Sequence, residues 1–168
     1  MFSRGRKEPP PEAAPVAEAN PERILFDGAS GFYQPWYFRR RMGEEVARCA
    51  RYGRQFALIV WEPRLLPGEA LEDEAITRTG AVIAGGVRKT DFSTRLERSR
   101  FACLLIEAGY DVARMIAHRV KSELSLKART GAGPWRAGMA VFPDDGVDAS
   151  ALTQVALRRL NDDLSAAA

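Results

Sequence analysis

Phe92-Ser93-Thr94-Arg95-Leu96-Glu97-Arg98-Ser99-Arg100-Phe101-Ala102-Cys103-Leu104-Leu105-Ile106 decides the fold class. Phe92 to Leu96 and Phe101 to Ile106 read as strands, and the polar stretch Glu97 to Arg100 between them predicts a β-hairpin. Helical periods flank it on both sides. A hairpin set among helices implies an α+β fold, a sheet covered by helices, rather than an alternating doubly wound one.

Working outward, the chain upstream carries a helix from Trp36 to Tyr52, where Phe38, Met42, Val46 and Cys49 recur every three or four residues. Gly53 stands where a C-terminal glycine ends such a helix. Phe56-Ala57-Leu58-Ile59-Val60-Trp61 is short and continuously apolar, which suits a buried strand. Pro63 and Pro67-Gly68 break the chain, and Leu71 to Val87 fits a second helix. Downstream, Val112 to Leu126 reads as a third helix, Thr130 to Pro134 as a turn, and Met139 to Phe142 as a strand. Asp148 is a candidate N-cap for a last helix with Leu152, Val155, Ala156, Leu160 and Leu164 on one side. Residues 1 to 22 hold Pro9, Pro10, Pro11, Pro15 and Pro21 among Ala and Glu. They are expected to form a disordered arm before a folded domain over 23–168.

Composition narrows the function classes. An apolar fraction of 46% and a charged fraction of 28% are those of an ordinary globular chain. No apolar run approaches the roughly 18 residues that span a bilayer. No signal-peptide pattern opens the chain, so cytoplasmic residence is the expectation. Cys49 and Cys103 have no metal-like spacing and read as buried thiols, while the single histidine, His118, reads as a surface or packing residue. The net charge of +3 is mild. Arg39, Arg40, Arg41, Arg48, Arg51 and Arg54 are interleaved with Glu44 and Glu45, as on a solvated face, and nucleic acid is not expected as a partner.

Four segments occur in an order that resembles a known family. They are Asp27-Gly28-Ala29-Ser30-Gly31-Phe32-Tyr33, then Arg88-Lys89-Thr90-Asp91, then the hairpin loop, then Gly138-Met139-Ala140-Val141-Phe142-Pro143-Asp144-Asp145-Gly146. In that order and spacing the chain is similar to the GGDEF family, whose members condense two GTP into cyclic di-GMP. The resemblance covers roughly residues 23 to 164. It implies a central, mainly antiparallel sheet flanked by helices, like that of nucleotidyl cyclases and polymerase palms.

The resemblance also implies where chemistry would sit, and most of it is replaced. Phosphoryl-type transfer needs carboxylates to hold divalent metal ions. Glu62, at the end of the first strand, matches one of the family's acids. Ser99 and Arg100 fall on the two acidic positions of the family's signature loop. An arginine about 4 Å from a divalent ion would be repelled by several kcal/mol even at an effective dielectric near 20. Glu97 and Arg98 replace two glycines that let the backbone approach phosphates. Asp73 falls at the position of a base-reading aspartate, but Glu72 replaces the glycine before it, and Gln34-Pro35-Trp36 replaces the usual polar continuation of the opening motif. Glu62, Asp73, Glu97, Arg98, Ser99 and Arg100 therefore read as vestigial positions, with no catalytic residue, metal or cofactor expected.

One family feature survives in register. Arg88 and Asp91 match an Arg-x-x-Asp inhibitory site that ends five residues before the signature loop. Arginine offers a planar fork for phosphate or a guanine edge, and aspartate accepts from guanine nitrogens. The competing reading is a local ion pair or cap, since the same spacing recurs at Arg159 and Asp162. Two functions are expected from this pattern: a pseudoenzyme module that contacts a protein partner, and a receptor for cyclic di-GMP.

Overall fold

The computed structural model describes residues 24–127 and 134–163. The expected arm over residues 1–22, the turn from Thr130 to Gly133, and Leu164 lie outside the described residues. Phe56-Ala57-Leu58-Ile59-Val60-Trp61 forms the centre of the sheet because both its faces are apolar, and all six residues are buried. In chain order the elements are α1 (Pro35–Tyr52), β1 (Phe56–Pro63), α2 (Asp73–Gly86), β2 (Phe92–Arg95), β3 (Phe101–Ile106), α3 (Tyr110–Lys127), β4 (Trp135–Phe142) and α4 (Ala149–Asp162). The four strands pair antiparallel in the order β2-β3-β1-β4. This is the α+β sheet covered by helices that the hairpin implied.

The strand's two-residue period divides the core. Ala57, Ile59 and Trp61 join the residues of α2 and α3, including Ala75, Ile83, Ile116 and Val120. Phe56, Leu58 and Val60 join those of α1 and α4, including Phe38, Met42, Leu152 and Leu160. Each face of the sheet therefore carries two helices. The Trp61 indole N–H donates to the Ala117 carbonyl at 3.1 Å, so the largest buried side chain leaves no polar atom unpaired.

Local signals hold at the helix ends. Gly53 adopts a left-handed conformation with φ of 61°, and its amide donates to the Cys49 carbonyl. The Asp148 carboxylate accepts from the Ala151 amide at 2.8 Å, as an N-cap should.

Several boundaries are corrected. The first strand runs through Pro63, which pairs only with Trp135 of β4, so its missing N–H costs little. The last strand begins at Trp135 rather than Met139, because pairing along the whole of β1 extends it through the weak strand formers Arg136 and Gly138. The second helix begins at Asp73, not Leu71, because Glu72 is still extended, with ψ of 160°, and its carbonyl accepts the first helical bond from the Ile76 amide at 2.9 Å. The hairpin's first strand ends at Arg95, because Leu96 already turns, donating to the Arg100 carbonyl at 2.9 Å.

Candidate functional site

Glu62 lies near the end of β1, flanked by strands on both sides. Antiparallel register sets Glu62 opposite Arg136 of β4. On the other side, the last β1–β3 pair is Trp61 with Phe101, so Arg100 stands one step beyond it, beside Glu62. Both arginines close on the carboxylate. Arg100 Nε donates to Oε1 at 3.1 Å and its Nη2 lies 3.0 Å from the same oxygen, while Arg136 Nη2 bonds Oε2. Arg100 also pairs with Glu97 at 2.9 Å. All three side chains of the Arg100–Glu62–Arg136 triad are mostly buried, so salt screens the pairing less than it would an exposed one.

A divalent cation of the kind the resemblance implies does not fit these residues. Magnesium requires several hard oxygen ligands. Here both oxygens of Glu62 face guanidinium groups, and among the described residues no cluster of three or more Asp, Glu, His or Cys side chains is assembled. The open cleft beside the triad has a volume of about 560 Å³ and includes Glu62, Glu97, Arg98, Ser99 and Arg136. Ser99 is buried and spends its hydroxyl oxygen on the Leu71 amide. Asp73 opens α2 away from this lining and is exposed. The hairpin thus brings together five of the six positions that the resemblance singled out, Glu62, Glu97, Arg98, Ser99 and Arg100, and leaves Asp73 apart.

The opening segment forms a tight platform against β2. Asp27 accepts from Arg95 at 2.8 and 2.7 Å in a two-pronged pair, and from the Ser30 hydroxyl at 2.5 Å. The Arg95 hydrogen bond is the main reason the Asp27 carboxyl is lowered to about 2, against an opposing effect of burial. Gly31, at φ of 72°, turns the chain back so that Phe26 and Tyr33 pair. The Tyr33 amide then donates to the Ser93 carbonyl at 3.0 Å. Helix α2 approaches so closely that a methyl group on Gly80 would lie 2.5 Å from the Ser30 carbonyl oxygen.

Arg88 and Asp91 line a second, smaller cleft of about 220 Å³ with Phe26, Tyr33, Val87 and Lys89. Arg88 and Lys89 are exposed at its rim. Asp91 is half-buried and already accepts two backbone amides, from Arg88 at 2.8 Å and from Ile106 at 3.1 Å. The local cap that the spacing allowed is therefore present. It leaves the Arg88 guanidinium outside the cap.

Sequence reasoning missed Arg136 and the Asp27–Arg95 pair. Arg136 alternates in phase with Gly138 and Ala140, a signal that becomes legible only when β4 is extended back to Trp135. Asp27 and Arg95 are far apart in sequence and carry no local signal. The two cysteines are buried and free, and burial pushes the Cys103 thiol up to about 12 and the Cys49 thiol up to about 11. His118 is exposed on α3. Among the described residues, no helix is long and apolar enough to cross a membrane.

No protein-family model matches the chain, and no curated protein matches it. Solved structures do. A sensory box/GGDEF family protein from Caulobacter crescentus superposes with a TM-score of 0.71 at 22% identity, covering 84% of this chain and 98% of that one. The GGDEF domain of DgcB from the same organism, in complex with c-di-GMP, gives 0.69 at 15% identity and covers 84% and 91%. The diguanylate cyclase SiaD from Pseudomonas aeruginosa, in complex with its activator SiaC, gives 0.69 at 18% identity and covers 87% and 60%. The fold of this chain is that of GGDEF domains.

Proposed function

We propose that this chain is a non-catalytic, degenerate GGDEF-domain regulatory protein. In this reading it is a pseudoenzyme interaction module that also receives cyclic di-GMP through Arg88 and Asp91. The observation that carries the loss of catalysis is the triad at Glu62. Two guanidinium groups stand where metal-borne positive charge would be needed, and they are covalently fixed to the chain. They cannot bring a triphosphate and an attacking hydroxyl together as a metal pair does. The glycine pair that would let phosphates approach the backbone is Glu97-Arg98, adding bulk and a carboxylate to the same loop.

The test is incubation of the pure protein with GTP and magnesium or manganese. No cyclic di-GMP should form. Turnover that disappears in Glu62→Gln would overturn the reading and restore Glu62 as a metal ligand.

The receptor half draws on Arg88, whose guanidinium is exposed at the rim of a cleft, and on the c-di-GMP complex of the similar DgcB domain. Calorimetric titration should detect cyclic di-GMP binding. Arg88→Ala should weaken it by the ~1–3 kcal/mol expected of a two-pronged contact. The second reading is a purely protein-binding scaffold with no nucleotide ligand. It is favoured by the Asp91 carboxylate, which is committed to two backbone amides, and by the activator complex of the similar SiaD. Absence of binding at high micromolar ligand would leave this reading standing alone.

A further inference from the structure

The cleft beside Arg88 has an aromatic floor that the Arg-x-x-Asp spacing does not account for. Phe26 stacks on Tyr33 with ring centroids 4.9 Å apart, and Tyr37 tilts against Tyr33 at the same distance. Phe92 approaches the same ring at 5.6 Å. Tyr33 is half-buried among these rings, and Phe26 is the most exposed of the four. It remains 37% exposed although it is a large apolar ring.

An exposed phenylalanine is ordinary on a loose surface. This one is held. The Asp27 amide donates to the Phe32 carbonyl at 2.7 Å, the Gln34 amide to the Leu25 carbonyl at 2.8 Å, and the Gln34 side chain to the Phe26 carbonyl itself at 3.1 Å. Asp27, its neighbour, is clamped by Arg95. The ring is thus presented on a braced backbone, so little further ordering is needed for another planar group to stack on it.

The charge around it is one-sided. Arg88 and Lys89 line the cleft, and the sole carboxylate in the lining is that of Asp91, engaged by two amides. A planar aromatic group joined to an anionic phosphate matches that surface. The size sets how much of such a ligand enters. A cleft of about 220 Å³ is smaller than the roughly 300–1,000 Å³ of pockets that enclose a whole drug-sized molecule. It suits one base with its phosphate, while the other half of a dinucleotide stays outside.

We propose that Phe26 is the base-stacking residue of this cleft, carrying one guanine of cyclic di-GMP on its ring while Arg88 and Lys89 hold the adjoining phosphate. This inference rests on the receptor reading above. It adds that affinity and base orientation come from the opening segment as well as from Arg88.

The test uses the full chain and cyclic di-GMP as the probe. Base–aromatic stacking is worth ~1–3 kcal/mol by alanine substitution, so Phe26→Ala should weaken binding about 5- to 150-fold. The variant's thermal midpoint should stay near the parent's, because the ring is exposed and belongs to neither core cluster. Phe26→Trp should retain affinity, and its emission should be quenched on binding beyond any change in the parent's three tryptophans. If Arg88→Ala loses binding while Phe26→Ala stays within twofold and Phe26→Trp shows no added quench, the stacking role is overturned and the receptor reading stands. If the parent does not bind, both fall. If Phe26→Ala lowers the thermal midpoint, the quench in Phe26→Trp decides alone.

Discussion

At the scale of single residues, this chain spends its charged groups on one another. Glu62 accepts from Arg100 and Arg136, and Asp145 holds Arg159 at 2.7 Å through both oxygens. Asp27 holds Arg95 in the same way, and it carries a pH signature. Its folded pKa of about 2 lies below the roughly 3.9 of an unfolded aspartate. Stability from this pair is therefore fully present above about pH 4 and is lost as pH falls towards 2. By linkage it amounts to roughly 2 kcal/mol. Asp27→Asn should lower the thermal midpoint at pH 7. That difference from the parent should shrink progressively between pH 4 and 2 in a melting series. A difference that stays constant with pH would mean that the carboxylate's charge contributes nothing.

At the scale of elements, the helices are set by where they can approach the sheet. Helix α4 crosses β4 directly over Gly138, where a methyl group would run into the backbone of Ala156 and Leu160. Backbone cannot swing aside as a side chain can, so Gly138→Ala should destabilise by ~1–3 kcal/mol or more in chemical denaturation. Gly43 lies within α1, and a methyl group there would meet nothing within 4 Å. Gly43→Ala should instead stabilise by up to about 1 kcal/mol, from helix propensity alone. The opposite signs separate packing from propensity. At the start of α4, Asp148→Ala should cost ~1 kcal/mol through the lost cap to Ala151.

At the scale of the molecule, a sheet buried on both faces by four helices accounts for an independent fold over the described residues. Residues 1–22 are rich in proline and poor in large apolar groups. Removing them should leave the midpoint and cooperativity of thermal unfolding nearly unchanged. A marked drop would show that the segment packs on the domain. The proposed ligand cleft and the triad cleft are lined by different residues. Cyclic di-GMP binding should therefore survive Glu62→Gln while losing affinity in Arg88→Ala. Affinity should also fall with added salt, because phosphate contacts at the exposed rim are screened.

The sequence by itself determined the hairpin, the buried strand from Phe56, the four helical segments and the Asp148 cap, because each depends on period, composition or a side chain reaching its own backbone. It also made legible how Glu97 to Arg100 depart from the acids and glycines that the resemblance implies, since these residues are contiguous. Tertiary structure alone decided what surrounds Glu62. Strand register put Arg136 beside Glu62, and register is a property of two strands, set by packing and invisible in either one. The same holds for Asp27 and Arg95, and for Phe26 stacked at the edge of the Arg88 cleft. Asp91 shows the division within one residue. Its spacing from Arg88 allowed both a cap and a ligand contact, and folding brought the Ile106 amide to its second oxygen.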